Sequence, residues 1–341
     1  AGLIGGRLRQ GSMNTTAFSF GSLGAKGFAF LNMLQLIGWT SIMIYDAMLA
    51  LQELAPLSPM IWTIAIGALV ILWLFIGLHN TGYIQAIVSV LLLGLTIYMG
   101  AHMIAQWPKE SSLIASGNMS FIAALELSIA MPLSWLPLIS DYTRESKNPF
   151  SASLTSTTVY TITSIVMYTL GLSAAIFGGG DSIITIMMNA GLGLAGLIVI
   201  IFSTVTTTFM DAYSAGVSST TIYSGASSKG IAVIVTIVGT IAAILYPMDD
   251  ITDFLYLIGS VFAPMIAILL ADYFINRQQV QTLSAYLVRG LIWAVSVGLY
   301  HYMLHSESTI GATLPSFAMA FIVTAIVGFI SKAAHTSVEV K

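Results

Sequence analysis

Long runs of apolar residues, separated by short polar connections, dominate the hydrophobic pattern of this chain. A helix needs roughly 20 mostly apolar residues to cross the hydrocarbon core of a bilayer. Ten stretches reach that length: 28–51, 60–79, 83–106, 119–140, 153–177, 191–222, 231–247, 253–275, 284–304 and 313–331. The strands of a transmembrane barrel are shorter and alternate in polarity. The pattern therefore predicts an all-α polytopic membrane protein with ten spans, whose connections are too short for a separate soluble domain.

The composition predicts the same class of protein. Apolar residues make up 57% of the 341 residues, charged residues only 7%, and the mean hydropathy is +0.92. Soluble domains carry roughly 25% charged residues, so this chain lacks the polar groups to cover a water-facing surface. A soluble enzyme, a nucleic-acid-binding protein and a disordered protein are therefore excluded. The absence of Cys also excludes a disulfide framework or an iron–sulfur cluster.

The positions of Lys and Arg predict the orientation, because these residues concentrate in cytoplasmic loops. With the N-terminus of the chain inside, only Lys109 among the 11 basic residues falls outside. The basic residues then on the cytoplasmic side are Arg7, Arg9, Lys26, Arg144, Lys147, Lys229, Arg277, Arg289, Lys332 and Lys341. We expect a multi-pass protein of the cell (inner) membrane with both ends of this chain in the cytoplasm.

The first residues read Ala-Gly-Leu-Ile-Gly-Gly and run into a basic segment at 7–10. This pattern is typical of the end of an apolar helix, and it is too short for a signal peptide. We therefore expect the chain to be a fragment that further helices precede. The alternative is an ordinary short N-terminal segment.

Four acidic residues fall inside predicted spans: Asp46, Glu126, Asp211 and Asp272. Ionisable groups at membrane depth are costly and indicate function by default. Asp272 lies near the inner end of its span and is expected to pair with Arg277. Asp46 and Glu126 are candidate proton-linked or gating acids, and local pairing is the alternative for Glu126.

Asp211 belongs to a span that is rich in hydroxyl groups. Ser203, Thr207, Asp211 and Ser214 recur at helical spacing, so one face of this helix is polar. Hydroxyl oxygens suit a hard cation such as Na⁺, although Ser and Thr also bond to carbonyls of their own helix. The carboxylate at the same depth favours a functional site.

Two further spans carry candidate binding features. Pro132 and Pro137 lie five residues apart in the fourth span, which predicts a broken helix of the kind that lines transporter sites, with a simple proline kink as the alternative. In the first span, Trp39 falls at mid-membrane in line with Gln35 and Met43. An indole there either packs on a neighbouring helix or stacks on a flat aromatic ligand.

The segment 132–144, which reads Pro-Leu-Ser-Trp-Leu-Pro-Leu-Ile-Ser-Asp-Tyr-Thr-Arg, resembles the sixth helix of the nucleobase–cation symporters, the purine and cytosine permeases. The stretch 32–43, Asn-x-x-Gln-x-x-Gly-Trp-Thr-x-x-Met, is similar to their third helix. The stretch 206–216, which ends Asp-Ala-Tyr-Ser-Ala-Gly, is similar to their eighth. The resemblance covers essentially the whole chain and is closest to the hydroxymethylpyrimidine transporters of that family.

This resemblance implies a LeuT-like inverted-repeat fold of twelve helices, in which the ten spans are helices three to twelve. Helix one and most of helix two are then absent from the chain. Residues 28–106 are the remainder of the first repeat, 119–275 the second repeat, and 284–331 two C-terminal helices.

The resemblance also implies roles for particular residues. Thr206 and Thr207 match hydroxyls of a sodium site, and Asp211 falls at or near a substrate-binding Asn. Met43 stands where some relatives have Gln. The substrate-binding residues implied in this way are Trp39, Met43, Met131, Pro132, Ser134, Trp135 and Asp211.

The expected function is cation-coupled import of a nucleobase-like aromatic base, with Na⁺ or H⁺ as the coupling ion and no cofactor. A carboxylate at Asp211 suits an aminopyrimidine, such as the thiamine precursor hydroxymethylpyrimidine, because it accepts from an exocyclic amine. The alternatives are a cytosine, purine or allantoin permease and a non-transporting protein from a truncated gene. An integral-membrane enzyme is disfavoured, because the buried acids have no His or basic partner at their depth.

Overall fold

The computed structural model describes residues 1–54, 57–76, 78–105, 119–177, 193–306 and 308–339, and this part of the chain is helical throughout apart from turns and short connections. A π-helical turn, Ala271–Asn276, directly follows the α-helix that ends at Leu270. The helices are α1 Gly2–Leu8, α2 Ser12–Thr15, α3 Ala17–Leu54, α4 Pro59–Ile76, α5 Leu78–Ala105, α6 Phe121–Thr143, α7 Pro149–Phe177, α8 Gly193–Ile222, α9 Ser228–Leu245, α10 Thr252–Leu270, α11 Leu283–His305 and α12 Thr313–Glu339.

Within these described residues, nine helices are long and apolar enough to cross a membrane. Each of the ten predicted stretches falls largely or wholly in a helix, but α7, which holds the predicted span 153–177, is not among the nine. Its first half is rich in Ser and Thr, which lowers its hydropathy. The class of protein was therefore predicted from the sequence, whereas the count of ten spans stays a prediction.

Several helix ends differ from the predicted ones. The predicted connection 79–82 is helical, because α4 ends at Ile76 and α5 begins at Leu78. The first predicted span begins earlier, at Ala17, and is interrupted at Gly21, whose φ of 68° lies in the left-handed region that glycine tolerates. The predicted connections 107–117 and 178–180 lie outside the described residues.

The helices pack in two sets that meet at the candidate site. The first set, called the four-helix group, consists of α3, α4, α8 and α9, which all contact one another. The second set, called the α6 group, consists of α1, α6 and α7, which also contact one another. Small residues bring the first set close: a Cβ at Gly216 of α8 would lie 2.1 Å from the Ser228 carbonyl oxygen of α9. The remaining long helices border these sets, since α10 packs on α6, α11 and α12, and α5 packs on α7 and α8.

The two ends of the bundle differ in charge. The end at which α3 begins and α6, α8 and α12 finish is called the basic end, because Arg144, Lys147, Lys229 and Lys332 lie there. The opposite end, called the acidic end, carries Asp249, Asp250 and Asp253. A basic end on the cytoplasmic side follows from the positive-inside rule and stays a prediction.

Candidate functional site

The antiparallel packing of α3 and α8 sets the depth of the candidate residues. Asn32 Nδ2 of α3 donates to Ser218 Oγ of α8 at 2.8 Å. Trp39 follows Asn32 by seven residues and Asp211 precedes Ser218 by seven residues, which is almost two helical turns in each helix. Because the helices are antiparallel, both steps lead toward the acidic end. Trp39 and Asp211 therefore lie at one depth. Two further pairs of neighbours in buried clusters keep this register: Leu36 with Ala215, and Leu51 with Leu197.

Gln35 is at the centre of a buried polar network that the sequence did not identify as a site. Its Nε2 donates to Asn32 Oδ1 at 2.8 Å and to the Ser134 carbonyl of α6 at 3.1 Å. Because the Ser134 carbonyl can only accept a hydrogen bond, the Gln35 atom that faces it must be Nε2. The other amide atom, Oε1, therefore points away from Asn32 and Ser134. This Oε1 is buried and has no hydrogen-bond partner among the described residues. An orphan buried acceptor costs about 1–3 kcal/mol, so Gln35 holds an acceptor that a ligand N–H group can satisfy.

Trp39 is buried in the core between α3 and α10. Its ring meets the ring of Phe254 edge-on, with centroids 5.5 Å apart and planes at 67°. Gly38 allows this approach, because a Cβ there would lie 2.6 Å from Phe254 Cζ. Met43, one turn further along α3, is partly buried against the same cluster. Packing against α10 therefore holds the indole in place, one turn from Gln35 and at the depth of Asp211.

The predicted break at 131–135 in α6 is wrong. α6 runs continuously from Phe121 to Thr143 with both prolines inside it. A proline removes one backbone donor but has a φ compatible with a helix. Ser134 Oγ donates to the Met131 carbonyl at 2.6 Å, which provides one local bond in this region. The chain thus has a helix with prolines at this depth, not two half-helices.

Residues of the predicted α6 segment nevertheless reach across the interface. The Ser134 carbonyl accepts from Gln35 of α3. Trp135 stacks on Tyr160 of α7, with centroids 5.0 Å apart and planes at 11°. It also packs against the buried cluster around Leu36 that α3, α6, α8 and α9 share. The structure therefore brings Ser134 and Trp135 to the candidate site, while Met131 and Pro132 are only partly buried beside them.

Asp211 is half-buried on α8. No group in the described part of the chain donates a hydrogen bond to its carboxylate. One turn away, Tyr142 of α6 is hydrogen-bonded to α8, with 2.9 Å between its hydroxyl and Ser214 Oγ and 3.2 Å to the Met210 carbonyl. Asp211 thus offers acceptors close to the contact between the two sets of helices.

The two threonines that the resemblance assigns to a sodium site bond to their own helix. Thr206 and Thr207 each donate to the Ser203 carbonyl at 2.9 Å. Thr206 is buried and Thr207 is exposed, so they leave α8 in different directions. Both hydroxyl oxygens keep lone pairs that a hard cation can use. A sodium site here stays a prediction.

Glu126 is a helix cap in this structure. Its buried carboxylate accepts from Ala312 N at 3.0 Å, Thr313 N at 3.0 Å and Thr313 Oγ1 at 2.5 Å. These donors form the N-terminus of α12, where the helix dipole favours a negative charge. The local pairing considered as an alternative is therefore what the structure has.

Asp46 lies exposed on α3 toward the acidic end, rather than buried in the core. The neighbouring Tyr45 donates to Asp249 Oδ2 at 3.3 Å. Asp249 lies in the connection between α9 and α10. In this connection, the backbone N–H and the hydroxyl of Thr252 donate to Asp250 and lower the pKa of its carboxyl group. Within the described residues, no basic side chain pairs with these carboxylates, which give the acidic end its charge.

The predicted partner of Asp272 is wrong. Arg289, and not Arg277, pairs with it: Nη2 donates to Asp272 Oδ1 at 3.0 Å and Nε to Oδ2 at 3.3 Å. Asn276 Nδ2 also donates to Oδ1 at 2.8 Å. Arg289 had been assigned to the cytoplasmic face, but it is a buried residue of α11. The π-helical turn after α10 places Asp272 beside α11, which no spacing along the chain revealed.

The Asp-Tyr-Thr-Arg motif joins the basic end of α6 to its neighbours. Asp141 Oδ1 accepts from the Ser12 N–H at 2.8 Å, and Ser12 Oγ accepts from the Ser140 N–H at 3.0 Å. Thr143 donates to the Gly2 carbonyl at 2.8 Å, so α1 is held against α6. The buried Asp141 Oδ2 has no partner within hydrogen-bond geometry in the part of the chain that the structure describes. The motif thus has an evident role in tertiary packing.

Comparisons with known proteins agree with this geometry. A family model described as "Permease for cytosine/purines, uracil, thiamine, allantoin" matches residues 1–340. The cytosine permease of Escherichia coli (strain K12) is 24% identical over 251 residues, which are 72% of this chain and 59% of that protein. The cytosine permease of Escherichia coli O157:H7 matches equally. The matched region is thus less than two thirds of the length of these curated relatives.

Solved structures show the fold. Mhp1, a nucleobase-cation-symport-1 family transporter in a closed conformation with bromovinylhydantoin bound, gives a TM-score of 0.74 at 16% identity, covering 93% of this chain and 77% of that chain. Its inward-facing conformation gives 0.68 at 13% identity, covering 97% and 87%. A Na⁺-coupled sialic acid symporter in a substrate-bound outward-open state gives 0.66 at 16% identity, covering 96% and 78%. The LeuT-like all-helical fold predicted from the sequence is therefore confirmed, and these relatives are transporters, not enzymes.

Proposed function

Because the chain belongs to the family of permeases for cytosine and purines, uracil, thiamine and allantoin, we propose that it works as a cation-coupled secondary transporter. Its substrate is a small nucleobase-like aromatic base, moved across the membrane by alternating access. The observation that carries this proposal is a pair of acceptors, Gln35 Oε1 and the Asp211 carboxylate, that no described residue satisfies, at about the depth of the buried Trp39.

The chemistry of these acceptors favours an amino-substituted base. An exocyclic amine offers two N–H groups, and a protonated ring nitrogen offers another. Bonds to a charged acceptor contribute about 1.5–3 kcal/mol each. A 4-amino-5-hydroxymethylpyrimidine-type substrate offers both N–H groups of its amine to these acceptors. Uracil offers ring N–H groups as well, but its two carbonyl oxygens meet no donor from Gln35 Oε1 or Asp211. Cytosine and aminopurines share the amine and are the nearest alternatives.

Alternating access requires the α6 group to move against the four-helix group. Within the described residues, few polar contacts join them: Gln35 to the Ser134 carbonyl, Tyr142 to α8, and Arg144 Nη2 to Tyr213 Oη at 3.4 Å. The neutral hydrogen bonds among these contribute about 0.5–1.5 kcal/mol each. Contacts of this kind break and re-form at low cost, as a rocking motion needs.

The coupling ion is a co-substrate, for which there are two candidates. Thr206 and Thr207 supply hydroxyl oxygens for Na⁺, and Asp211 supplies a carboxylate for H⁺. Binding of the base at constant pH, with Na⁺ replaced by choline, separates them. Tighter binding in Na⁺ supports sodium coupling, and tighter binding at lower pH without Na⁺ supports proton coupling.

Equilibrium binding of labelled aminopyrimidine to the purified chain in nanodiscs tests the site. We expect competition by cytosine to exceed that by uracil or allantoin. Asp211→Asn or Gln35→Leu should weaken binding roughly 10- to 100-fold, the factor given by ~1.4–2.8 kcal/mol. Asp46→Asn, an exposed acid on the same helix as Gln35, is the matched control. Unchanged affinity in Asp211→Asn and Gln35→Leu would contradict the proposed site.

A further inference from the structure

A cavity lies at the basic end, away from the candidate site. It has a volume of about 530 Å³ and is enclosed by the connection 278–282, the first turns of α11 and the second half of α12. No Asp or Glu of the described chain lines it. The side chains that offer hydrogen bonds to its interior belong to Gln278, Gln279, Gln281, Ser284, Arg289 and Ser331.

Arg289 is the charged group of this cavity. Two of its nitrogens, Nε and Nη2, are held by Asp272, which keeps the guanidinium in one orientation. Its third nitrogen, Nη1, makes no hydrogen bond within the described residues, although the side chain is 94% buried and lines the cavity. A buried, oriented guanidinium with free N–H groups is a donor suited to phosphate oxygens.

The N-terminus of α11 adds to this positive site. Thr282 caps the helix by accepting from Ala285 N at 3.3 Å. The amides of Leu283 and Ser284 precede the first intrahelical bond and point toward the cavity end of the helix. The helix dipole is positive here. Lys332 contacts the carbonyl of Asn276, beside Ser331, and brings a further cation to the rim.

Apolar surface continues from the cavity into the membrane. Leu287 and Leu291 on α11 and Ile330 on α12 are largely exposed, on the sides next to the cavity lining. A free phosphate would gain nothing from these side chains, whereas acyl chains would cover them. Basic pockets between helix ends are sites at which lipid headgroups bind.

We propose that this cavity binds an anionic phospholipid, with the phosphate at Arg289 Nη1 and the α11 N-terminus and the acyl chains along α11 and α12. The site is separate from the transport site and does not depend on the proposed substrate. Lipid bound there would hold α11 and α12 together at the membrane surface.

Ser284→Asp tests this proposal without breaking the Asp272–Arg289 pair. The new carboxylate lies in the first turn of α11, where the dipole favours it, so thermal stability should not fall. It repels a phosphate in the cavity. Ser151→Asp is the matched control, because Ser151 is an exposed serine in the first turn of α7 at the same end of the bundle.

Native mass spectrometry of the purified protein measures binding of phosphatidylglycerol and of phosphatidylcholine with the same acyl chains. The wild-type protein and Ser151→Asp should bind phosphatidylglycerol at least about tenfold more tightly than phosphatidylcholine. Ser284→Asp should lose that preference. Equal preference in the two variants would overturn the proposal. Displacement of the lipid by millimolar inorganic phosphate would overturn the lipid assignment and indicate a free-anion site.

Discussion

Replacing Glu126 with glutamine separates a helix cap from an acid that takes part in transport. The carboxylate receives three donors from Ala312 and Thr313 at 2.5–3.0 Å, all at the N-terminus of α12. Glutamine keeps the shape, but its NH₂ group faces donors in place of one oxygen. One or two charge-assisted bonds are lost, each about 1.5–3 kcal/mol, together with part of the dipole interaction. We expect destabilisation of about 2–4 kcal/mol.

Thermal unfolding of the detergent-purified protein measures this effect, with base binding measured on the folded fraction. Glu145→Gln is the control, since Glu145 is exposed and its pair with Arg144 is a surface contact worth about 0–1 kcal/mol. A capping role predicts a lower unfolding temperature for Glu126→Gln and unchanged affinity for the base. Unfolding of both variants at one temperature, or altered coupling with no loss of stability, would refute the capping role.

Two further changes test the helix packing by the same unfolding measurement. Arg289→Met leaves Asp272 buried without its counter-charge and should lower the free energy of unfolding by about 3–5 kcal/mol. Adding Asp272→Leu should restore most of that stability. Additive losses in the double variant would contradict a coupled pair. Gly216→Ala places a methyl group 2.1 Å from the Ser228 carbonyl oxygen and should lower the free energy of unfolding by about 1–3 kcal/mol. The control Gly290→Ala, whose methyl group would have no described atom of another element within 4 Å, should be neutral or stabilising. Equal stability of the two alanine variants would count against this close approach.

The sequence alone was sufficient for the class of protein and for most helices. Apolar runs of bilayer length are a local property, so helices such as α9 and α12 could be located without any knowledge of their neighbours. The helix ends were less predictable. The predicted connection at 79–82 is helical in the structure because polar residues interrupt the hydropathy of a span without interrupting its backbone hydrogen bonds.

The family resemblance was also readable from local segments, and the match over residues 1–340 confirms it. The resemblance did not determine the state of α6. Two prolines five residues apart are compatible with a broken helix or a continuous one, and the surrounding packing decides between them. The assignment of repeats and the sodium-site threonines stay predictions.

The partners of the buried polar groups were decided only by the tertiary structure. Glu126 meets Thr313, 187 residues away, and Asp272 meets Arg289 rather than the nearby Arg277. Periodicity tells which face of a helix a side chain occupies, but not which helix crosses that face or at what height. The same limit hid Gln35, because its free acceptor exists only where α3 packs against both α6 and α8. Sequence thus determined that these groups lie in a membrane, and helix packing determined which remain unsatisfied and able to bind.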